Sequence, residues 1–289
     1  MNPAIEFVQA KDKDLGGGFV VRRLLPAAKR AAVGPFVFFD HFGPITARPG
    51  DQHDVRPHPH IGLATVTYLF EGAMVHRDST GVVQRIEPGA INWMSAGRGI
   101  VHSERTPEEL RQQVRRSHGL QLWLALPADA EESPPSFAHT AAADIPRVSV
   151  GGADVRLLVG SAFGLQSPVL TTSPTLYLDI HLAAGDAFPL PLAAERALYV
   201  VEGDVALEGE PVPAHTMAVL AADDEPMLSA NGPARAVLIG GEPLGPRFMW
   251  WNFVSTRKER IMQAADDWQA GRFAGVPGES EFIPLPPRP

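Results

Sequence analysis

The feature that most constrains the fold of this chain is a series of short apolar or alternating runs, each the length of one β-strand. Examples are GFVVRRLL, LATVTYLF, GLQLWLAL, TLYLDIHL, RALYVVEG and ARAVLIGG. Many of the 27 Gly and 28 Pro residues lie between such runs, where they favour turns and interrupt helices. This rhythm predicts an all-β chain built from barrels or sandwiches.

Three segments depart from the rhythm of strands. Residues 255–272 carry apolar side chains at helical spacing, and Gly271 would end the helix. Residues 107–116 show a weaker helical pattern, for which Thr106 is the expected N-cap. The proline-rich tail from residue 275 is expected to be extended, because proline excludes a helix there.

The length of 289 residues favours two domains over one. Residues 128–145 are polar, rich in proline and without strand periodicity, so we place the boundary there. The predicted domains are 1–139 and 140–289, the second with the terminal helix and tail. A weak repeat, in which one strand ends in Glu71-Gly72 and a later one in Glu202-Gly203, indicates two copies of one unit.

Composition excludes several classes of ligand and cofactor. The formal charge is −8 and no basic block occurs, so neither nucleic acid nor an anionic membrane is an expected ligand. No export signal and no run of about 18 apolar residues is present, and we expect a cytoplasmic protein. Because the chain has no cysteine, any metal must be bound by nitrogen and oxygen.

Two short motifs carry the chemistry. His58 and His60 in RPHPHIG are two residues apart, and so are His102 and Glu104 in GIVHSER. Residues i and i+2 of a strand project to the same face, so each pair offers two ligand groups to one space. Three imidazoles and one carboxylate suit iron, manganese, nickel, copper, cobalt or zinc better than calcium, and they leave coordination positions open.

A single HxH motif is as often a surface or hydrogen-bonded pair as a metal site, but two pairs with the same spacing favour the metal. We interpret the other histidines as structural or exposed: His41, His53, His76, His118, His139, His181 and His215. His41 and His53 are close enough in sequence to line the mouth of the same site.

The segments FFDHFGP, RPHPHIGLATVTYLFEG, HRDSTG and IEPGAINWMSAGRGIVHSE resemble the pirin family over about residues 17–125. The resemblance returns weakly in WNFVSTRKERIMQAADDWQAGRF. Pirins are bicupins, so it implies two antiparallel jelly-roll β-barrels in tandem with a short C-terminal helix. The family's metal ligands fall on His58, His60, His102 and Glu104. The usual cupin glutamate position falls near Thr65, and Glu104 supplies the carboxylate instead.

The second half of the chain departs from a metal-binding cupin. It has PLPLAAER where an HxH pair would fall and MAVL, near Ala218, where the third histidine would fall. His215 alone cannot hold a metal. We therefore expect a metal-free C-terminal cupin.

The resemblance implies iron, Fe(II) or Fe(III), and two functions. One is a quercetin 2,3-dioxygenase type of ring cleavage, acting on a flavonol or other polyphenol with O2. The other is a redox-sensing regulator that binds a transcription factor or a metabolic enzyme. A third reading is a cupin in which the metal only stabilises the barrel. The sequence is compatible with a monomer or a dimer.

In the dioxygenase reading, Glu104 is both a ligand and the catalytic base for the flavonol hydroxyl. Four apolar side chains near the motifs would bind the substrate, although the barrel core is the more common place for such residues. They are Phe39, Phe42, Trp93 and Met94. Arg98 and Arg105 could steer an anionic substrate, while exposure to solvent is the ordinary state of such residues.

Overall fold

A computed structural model describes residues 5–15, 19–51 and 53–287, and antiparallel strands account for most of them. The strands up to residue 125 are β1 (Glu6–Gln9), β2 (Lys11–Asp14), β3 (Val20–Leu25), β4 (Phe36–Ala47), β5 (Val55–His60), β6 (Leu63–Glu71), β7 (Met74–Asp78), β8 (Val83–Ile86), β9 (Ile91–Ser95), β10 (Ile100–Arg105) and β11 (Arg115–Ala125).

The later strands are β12 (Ser136–Thr140), β13 (Arg147–Val150), β14 (Ala153–Val159), β15 (Ser161–Ala162), β16 (Leu165–Gln166), β17 (Thr175–Leu182), β18 (Ala187–Pro189), β19 (Glu195–Glu202), β20 (Val205–Leu207), β21 (Glu210–Val212), β22 (Thr216–Leu220), β23 (Met227–Ala230), β24 (Ala234–Gly241), β25 (Phe248–Trp250) and β26 (Phe253–Ser255). Helix α1 (Lys258–Gln269) follows β26, and a short 3-10 helix covers Glu108–Leu110. The all-β prediction is confirmed.

The sheets occur in two sets with the same strand order. Two sheets have four strands, ordered β5-β10-β7-β8 and β18-β23-β20-β21. Two have seven, ordered β12-β9-β6-β11-β4-β3-β2 and β1-β22-β19-β24-β17-β14-β13. When β6 is matched with β19, every strand of one set has a counterpart in the other. The strand ends at Glu71 and Glu202 therefore mark a true structural repeat.

Close contacts divide the chain into two compact units that are not consecutive in sequence. The unit that we call the histidine unit comprises Asp14–Val21, His41–Ala142 and Leu244–Pro289. The unit that we call the apolar unit comprises Met1–Lys13, Arg22–Asp40 and Ala143–Pro243. The domain limits 1–139 and 140–289 stay a prediction.

The core of the apolar unit consists mainly of leucine, valine and alanine side chains from facing strands, among them Leu178, Leu198 and Leu228. Alternation along each strand sends these residues inward, and their removal from water stabilises the unit. A charged pair lies on the opposite face of these strands: Arg235 of β24 donates two hydrogen bonds, of 2.9 and 2.6 Å, to the buried carboxylate of Asp179 of β17.

Helix α1 confirms the helix predicted over residues 255–272, although it is shorter at both ends. It begins at Lys258 because Phe253–Ser255 form β26, and Gly271 follows it with a φ of 65°. Its buried residues Ile261, Ala264 and Ala265 pack against Ile61 and Phe253 within the histidine unit. The helix therefore lies against the loop that follows β5.

The prediction of a helix over residues 107–116 was wrong except for one short 3-10 turn. Only Glu108–Leu110 is helical, Thr106 is not its cap, and β11 begins at Arg115. The segment has too few apolar residues for a buried helical face, whereas β11 gains a full ladder with β6. The proposed linker also contains a strand, since Ser136–Thr140 pairs with β9.

No helix among the described residues is long and apolar enough to span a bilayer.

Candidate metal centre

Three histidines of the histidine unit meet where β5 and β10 pair. The antiparallel register places His102 directly opposite His58, and His60 lies two residues further along β5. The ring centroids are 4.4 Å apart for His58 and His102, 4.9 Å for His58 and His60, and 5.0 Å for His60 and His102. All three side chains are buried. The spacing of the motifs and the register together therefore produce a compact imidazole cluster.

The ring nitrogens are close enough together to bind one metal ion jointly. The Nε2 atoms of His60 and His102 are 3.1 Å apart, and one ring nitrogen from each of the three histidines lies within 4.8 Å of the others. Imidazole nitrogens bind zinc at about 2.0–2.1 Å, so two of them at an angle of about 90–109° would be about 2.8–3.4 Å apart. The donor set and this distance fit a divalent transition metal.

Each of the three imidazoles has a partner on its Nδ1 atom. For His58 the partner is the carbonyl oxygen of Arg56 at 2.8 Å, and for His60 it is that of Asn252 at 3.1 Å. For His102 it is the Nδ1 atom of His76 at 3.4 Å. Such hydrogen bonds fix the tautomer and orientation of a metal-binding histidine. Nε2 is then the nitrogen that each ring offers to an ion.

Burial keeps the cluster neutral. Loss of hydration lowers the pKa of His58 to about 4, and it lowers the pKa values of His60 and His102 well below their usual range. Only a neutral imidazole has a lone pair for a metal, so no proton competes with the ion at neutral pH.

Glu104 lies on the same strand as His102 but stands apart from the cluster of three. It is not a member of the group whose ligand atoms lie within 4.8 Å of one another. Its carboxylate accepts a hydrogen bond of 3.4 Å from Thr67 on β6, and burial raises its pKa. Thr65, where the usual cupin glutamate would fall, lies two residues before Thr67 and is buried too.

A cavity of about 500 Å³ opens beside Glu104. Phe19, Phe70 and Met74 supply apolar lining, and His53 stacks on Phe19 with ring centroids 5.4 Å apart. Glu104 is the only one of the four predicted ligands that lines this cavity. The volume lies within the range of about 300–1,000 Å³ that is typical of small-molecule sites.

The four predicted substrate residues lie elsewhere among buried side chains. Phe42 packs with Leu69, while Met94 packs with Ala96 and Ile100. Trp93 is also buried, and Phe39 is buried in the apolar unit. None of the four lines the cavity beside Glu104. Their role in substrate binding stays a prediction.

Several residues of the site were not recognised from the sequence. His76 contacts His102 and Asp78, and its ring stacks on Phe137 with centroids 4.4 Å apart. His76 and Asp78 share the i, i+2 spacing of the ligand pairs, and this signal could have identified them. Trp123 packs edge-on against His60 with centroids 5.1 Å apart.

His41 and His53, which we expected at one mouth, have different surroundings. His53 lines the cavity beside Glu104. His41 is buried, and its Nε2 atom lies 2.7 Å from that of His118.

The two arginines considered for substrate steering also differ. Arg98 is exposed, in agreement with its ordinary state. Arg105 is mostly covered and forms ion pairs with Glu279 and Glu281 of the C-terminal tail. These acidic partners hold the pKa of Arg105 above its usual range. Arg105 therefore binds the C-terminal tail through its guanidinium group, and it also lines the cavity.

The duplicated strand order and the buried histidine cluster define a bicupin with one candidate metal centre among the residues that the structure describes. Comparison with known families supports this class: the pirin family matches residues 18–124, and the pirin C-terminal cupin domain matches residues 177–274. The chain belongs to the pirin family. The predicted pair of cupin domains is thereby confirmed.

The chain is similar to proteins and solved structures over nearly its whole length. A pirin-like protein of Caulobacter vibrioides is 47% identical, with 96% of this chain and 97% of the relative covered. The crystal structure of quercetin 2,3-dioxygenase from Acinetobacter baumannii is 33% identical, with a TM-score of 0.92 and coverage of 99% and 96%. The bacterial pirin YhhW from Escherichia coli, solved with nickel(II), is 20% identical, with a TM-score of 0.65 and coverage of 83% and 100%, which shows the shared fold.

Proposed function

We propose that this pirin is a mononuclear iron dioxygenase of the quercetin 2,3-dioxygenase type, with His58, His60, His102 and Glu104 as its metal ligands. The observation that carries the proposal is the cluster of three buried imidazoles, each with its Nδ1 atom already engaged. The similarity to a quercetin 2,3-dioxygenase from Acinetobacter baumannii supports the reaction class.

Nitrogen and oxygen donors of intermediate hardness suit iron, and they also accept nickel, manganese, copper, cobalt or zinc. When bound, iron would supply the redox chemistry toward O2 and an electrostatic contact for a deprotonated flavonol. The three histidines would hold the ion, and they would leave positions open for substrate.

The chain itself supplies a base and a pocket. Glu104 lies on β10, the strand that carries His102, and lines the cavity. Its carboxylate can therefore receive the proton of a flavonol hydroxyl bound there. Thr67 donates to one oxygen of that carboxylate, and Gln121 lies 2.9 Å from the same hydroxyl. Phe19 and Phe70 offer ring surfaces against which a planar polyphenol can pack.

The test compares three proteins loaded with Fe(II) under anaerobic conditions: wild type, His58→Ala and His139→Gln. His139 lies exposed in the same unit, where its Nδ1 atom is 2.7 Å from Asn92, so it is a matched control. On admission of air and quercetin, we expect wild type and the control to consume O2 while the flavonol absorbance falls. The His58→Ala variant should do neither.

Two results contradict the proposal. One is the absence of both O2 uptake and flavonol loss in the iron-loaded wild type. The other is an equal rate in the His58→Ala variant.

A further inference from the structure

His102 differs from His58 and His60 in the hydrogen-bonding partner of its Nδ1 atom. His58 and His60 face backbone carbonyl oxygens, which only accept hydrogen bonds. His102 faces another imidazole, that of His76, with 3.4 Å between the two Nδ1 atoms. An imidazole nitrogen either donates or accepts. The state of His102 therefore depends on what determines the state of His76.

The position of the proton on the His76 ring is determined by Asp78, which lies two residues further along β7. The His76 Nε2 atom lies 2.9 Å from Asp78 Oδ2, and both side chains are buried. The other oxygen, Oδ1, accepts hydrogen bonds from the Thr80 backbone N–H at 2.8 Å, the Thr80 hydroxyl at 2.6 Å and the Val82 N–H at 3.3 Å. The turn DSTGV thus fixes the orientation of the carboxylate and leaves Oδ2 for His76.

The proton positions follow from these contacts. A carboxylate can only accept, so His76 Nε2 carries its proton and donates to Asp78. With its single proton on Nε2, His76 has a lone pair on Nδ1, to which His102 Nδ1–H can donate. The remaining lone pair of His102 is on Nε2, the atom that lies 3.1 Å from His60 Nε2.

We propose that Asp78 and His76 are positioning residues that set the tautomer of His102 and thereby prepare its Nε2 atom for the metal. The proposal rests on the proposed role of His102 as a ligand. It assigns a function to the motif HRDSTG, which contains both His76 and Asp78 and whose turn holds the Asp78 carboxylate in place. Outer hydrogen-bond partners of this kind typically change metal affinity by about 10–100-fold.

The variant Asp78→Asn tests the direction of the relay. Three donors already point at the Oδ1 position, so the new carbonyl oxygen must occupy it and the amide nitrogen must face His76. That nitrogen donates, and His76 Nε2 has to accept. The His76 proton then lies on Nδ1 and donates to His102 Nδ1, and the His102 proton moves to Nε2. We expect the affinity for Co(II) or Zn(II), measured by competition with a chelator, to fall by about 10–100-fold.

Position 76 supplies the matched pair of variants. In His76→Gln, an amide oxygen can still accept the proton of His102 Nδ1, whereas His76→Leu offers no acceptor. We expect the glutamine variant to retain more of the Co(II) affinity than the leucine variant. The His139→Gln variant is the control for loss of an exposed histidine and should bind Co(II) as wild type does.

A second measurement needs no variant that could fail to fold. Nitrogen-15 NMR of the histidine rings in the metal-free wild type distinguishes the two neutral tautomers. We expect a proton on Nδ1 of His102 and on Nε2 of His76. A proton on Nε2 of His102, or an Asp78→Asn variant with wild-type affinity for Co(II), overturns the proposal. Neither readout depends on O2 or on flavonol, so failure of the proposed function would leave both results interpretable.

Discussion

The two sets of sheets share one strand order but differ in the side chains that their corresponding strands carry. In the histidine unit, the register across β5, β10 and β7 aligns His58, His102 and Asp78. In the apolar unit, the corresponding strands β18, β23 and β20 align Phe188, Leu228 and Leu207, all of which are buried. The scaffold thus accepts either a polar cluster or a continuous apolar core at this position.

This difference shows that the stability of the fold does not depend on the polar cluster. The apolar unit has a packed core at the position of the cluster, so the fold itself does not require a metal there. In the histidine unit, polar side chains replace that core, and each needs hydrogen-bonding partners because unsatisfied buried groups are costly. Backbone carbonyls and the HRDSTG turn meet this need.

The largest expected effect is on metal binding in the histidine unit. Replacing His102 by Ala removes one of four proposed ligands. Since structural zinc sites bind with about 10–16 kcal/mol, one ligand of four represents about 2.5–4 kcal/mol, or roughly 70- to 900-fold in Kd. Chelator competition with Zn(II) measures the change. An affinity within threefold of wild type would show that His102 is not a ligand.

The matched change in the apolar unit is Leu228→Ala. It leaves a cavity in a packed core and should lower the free energy of unfolding by about 2–5 kcal/mol. Denaturant titration measures this loss, and the metal content should stay at the wild-type value. A fall in metal content with stability unchanged would reverse the assignment of the two units.

Acid should separate the units as well. The pKa of His58 is about 4 in the folded protein and about 6.5 in an ordinary environment, so the unfolded chain binds the extra proton in this window. The free energy of unfolding of metal-free protein should therefore fall as pH decreases from about 6.5 to 4, with His58 alone contributing on the order of 3 kcal/mol.

In the apolar unit the sensitive group is Asp179. Burial alone would raise its pKa, but hydrogen bonds from His181 and Arg235 lower it below the usual range. Its stabilising effect is present above about pH 4 and is lost as pH falls through the lowered pKa. Urea titrations at a series of pH values from 7 to 3 give the free energy of unfolding as a function of pH. Its change with pH should be smaller above pH 4 in His58→Leu and smaller below pH 4 in Asp179→Asn. Unchanged slopes would contradict this division.

The smallest expected effect follows from Glu104→Gln. A neutral amide binds metal more weakly than a carboxylate, and because Glu104 stands apart from the three histidines we expect a loss of about tenfold in affinity. Any base function should be lost entirely. The control is Glu202→Gln, an exposed glutamate at the end of β19. Equal Zn(II) affinity in wild type and Glu104→Gln would argue against Glu104 as a ligand.

The sequence predicted the features that depend on local spacing. His58 and His60 were predictable as a pair because strands alternate with a period of two, and both belong to the histidine cluster. The register of β10 against β5 shifts between His102 and Glu104, so a shared face for that pair stays a prediction. The helix near residue 260 was predictable from its apolar periodicity, and the resemblance to pirins supplied the bicupin fold. All of these signals lie within short stretches of chain.

Features that depend on pairing between distant strands were not predictable. The role of His76 arises because β7 lies beside β10, which sets His76 opposite Glu104. The composition of the cavity depends on Phe19, which is far in sequence from Glu104. Likewise β1 pairs with β22, so residues 6–9 belong to a sheet formed mainly by the second half of the chain, which no local pattern reveals.

The central claim is that one metal ion binds in the histidine unit and none in the apolar unit. Elemental analysis of wild type, His58→Ala and Leu228→Ala, each purified from the native host, tests it most directly. We predict one ion per chain, mainly iron, in wild type and Leu228→Ala, and almost none in His58→Ala. Two ions per chain in wild type, or an unchanged content in His58→Ala, would contradict the account.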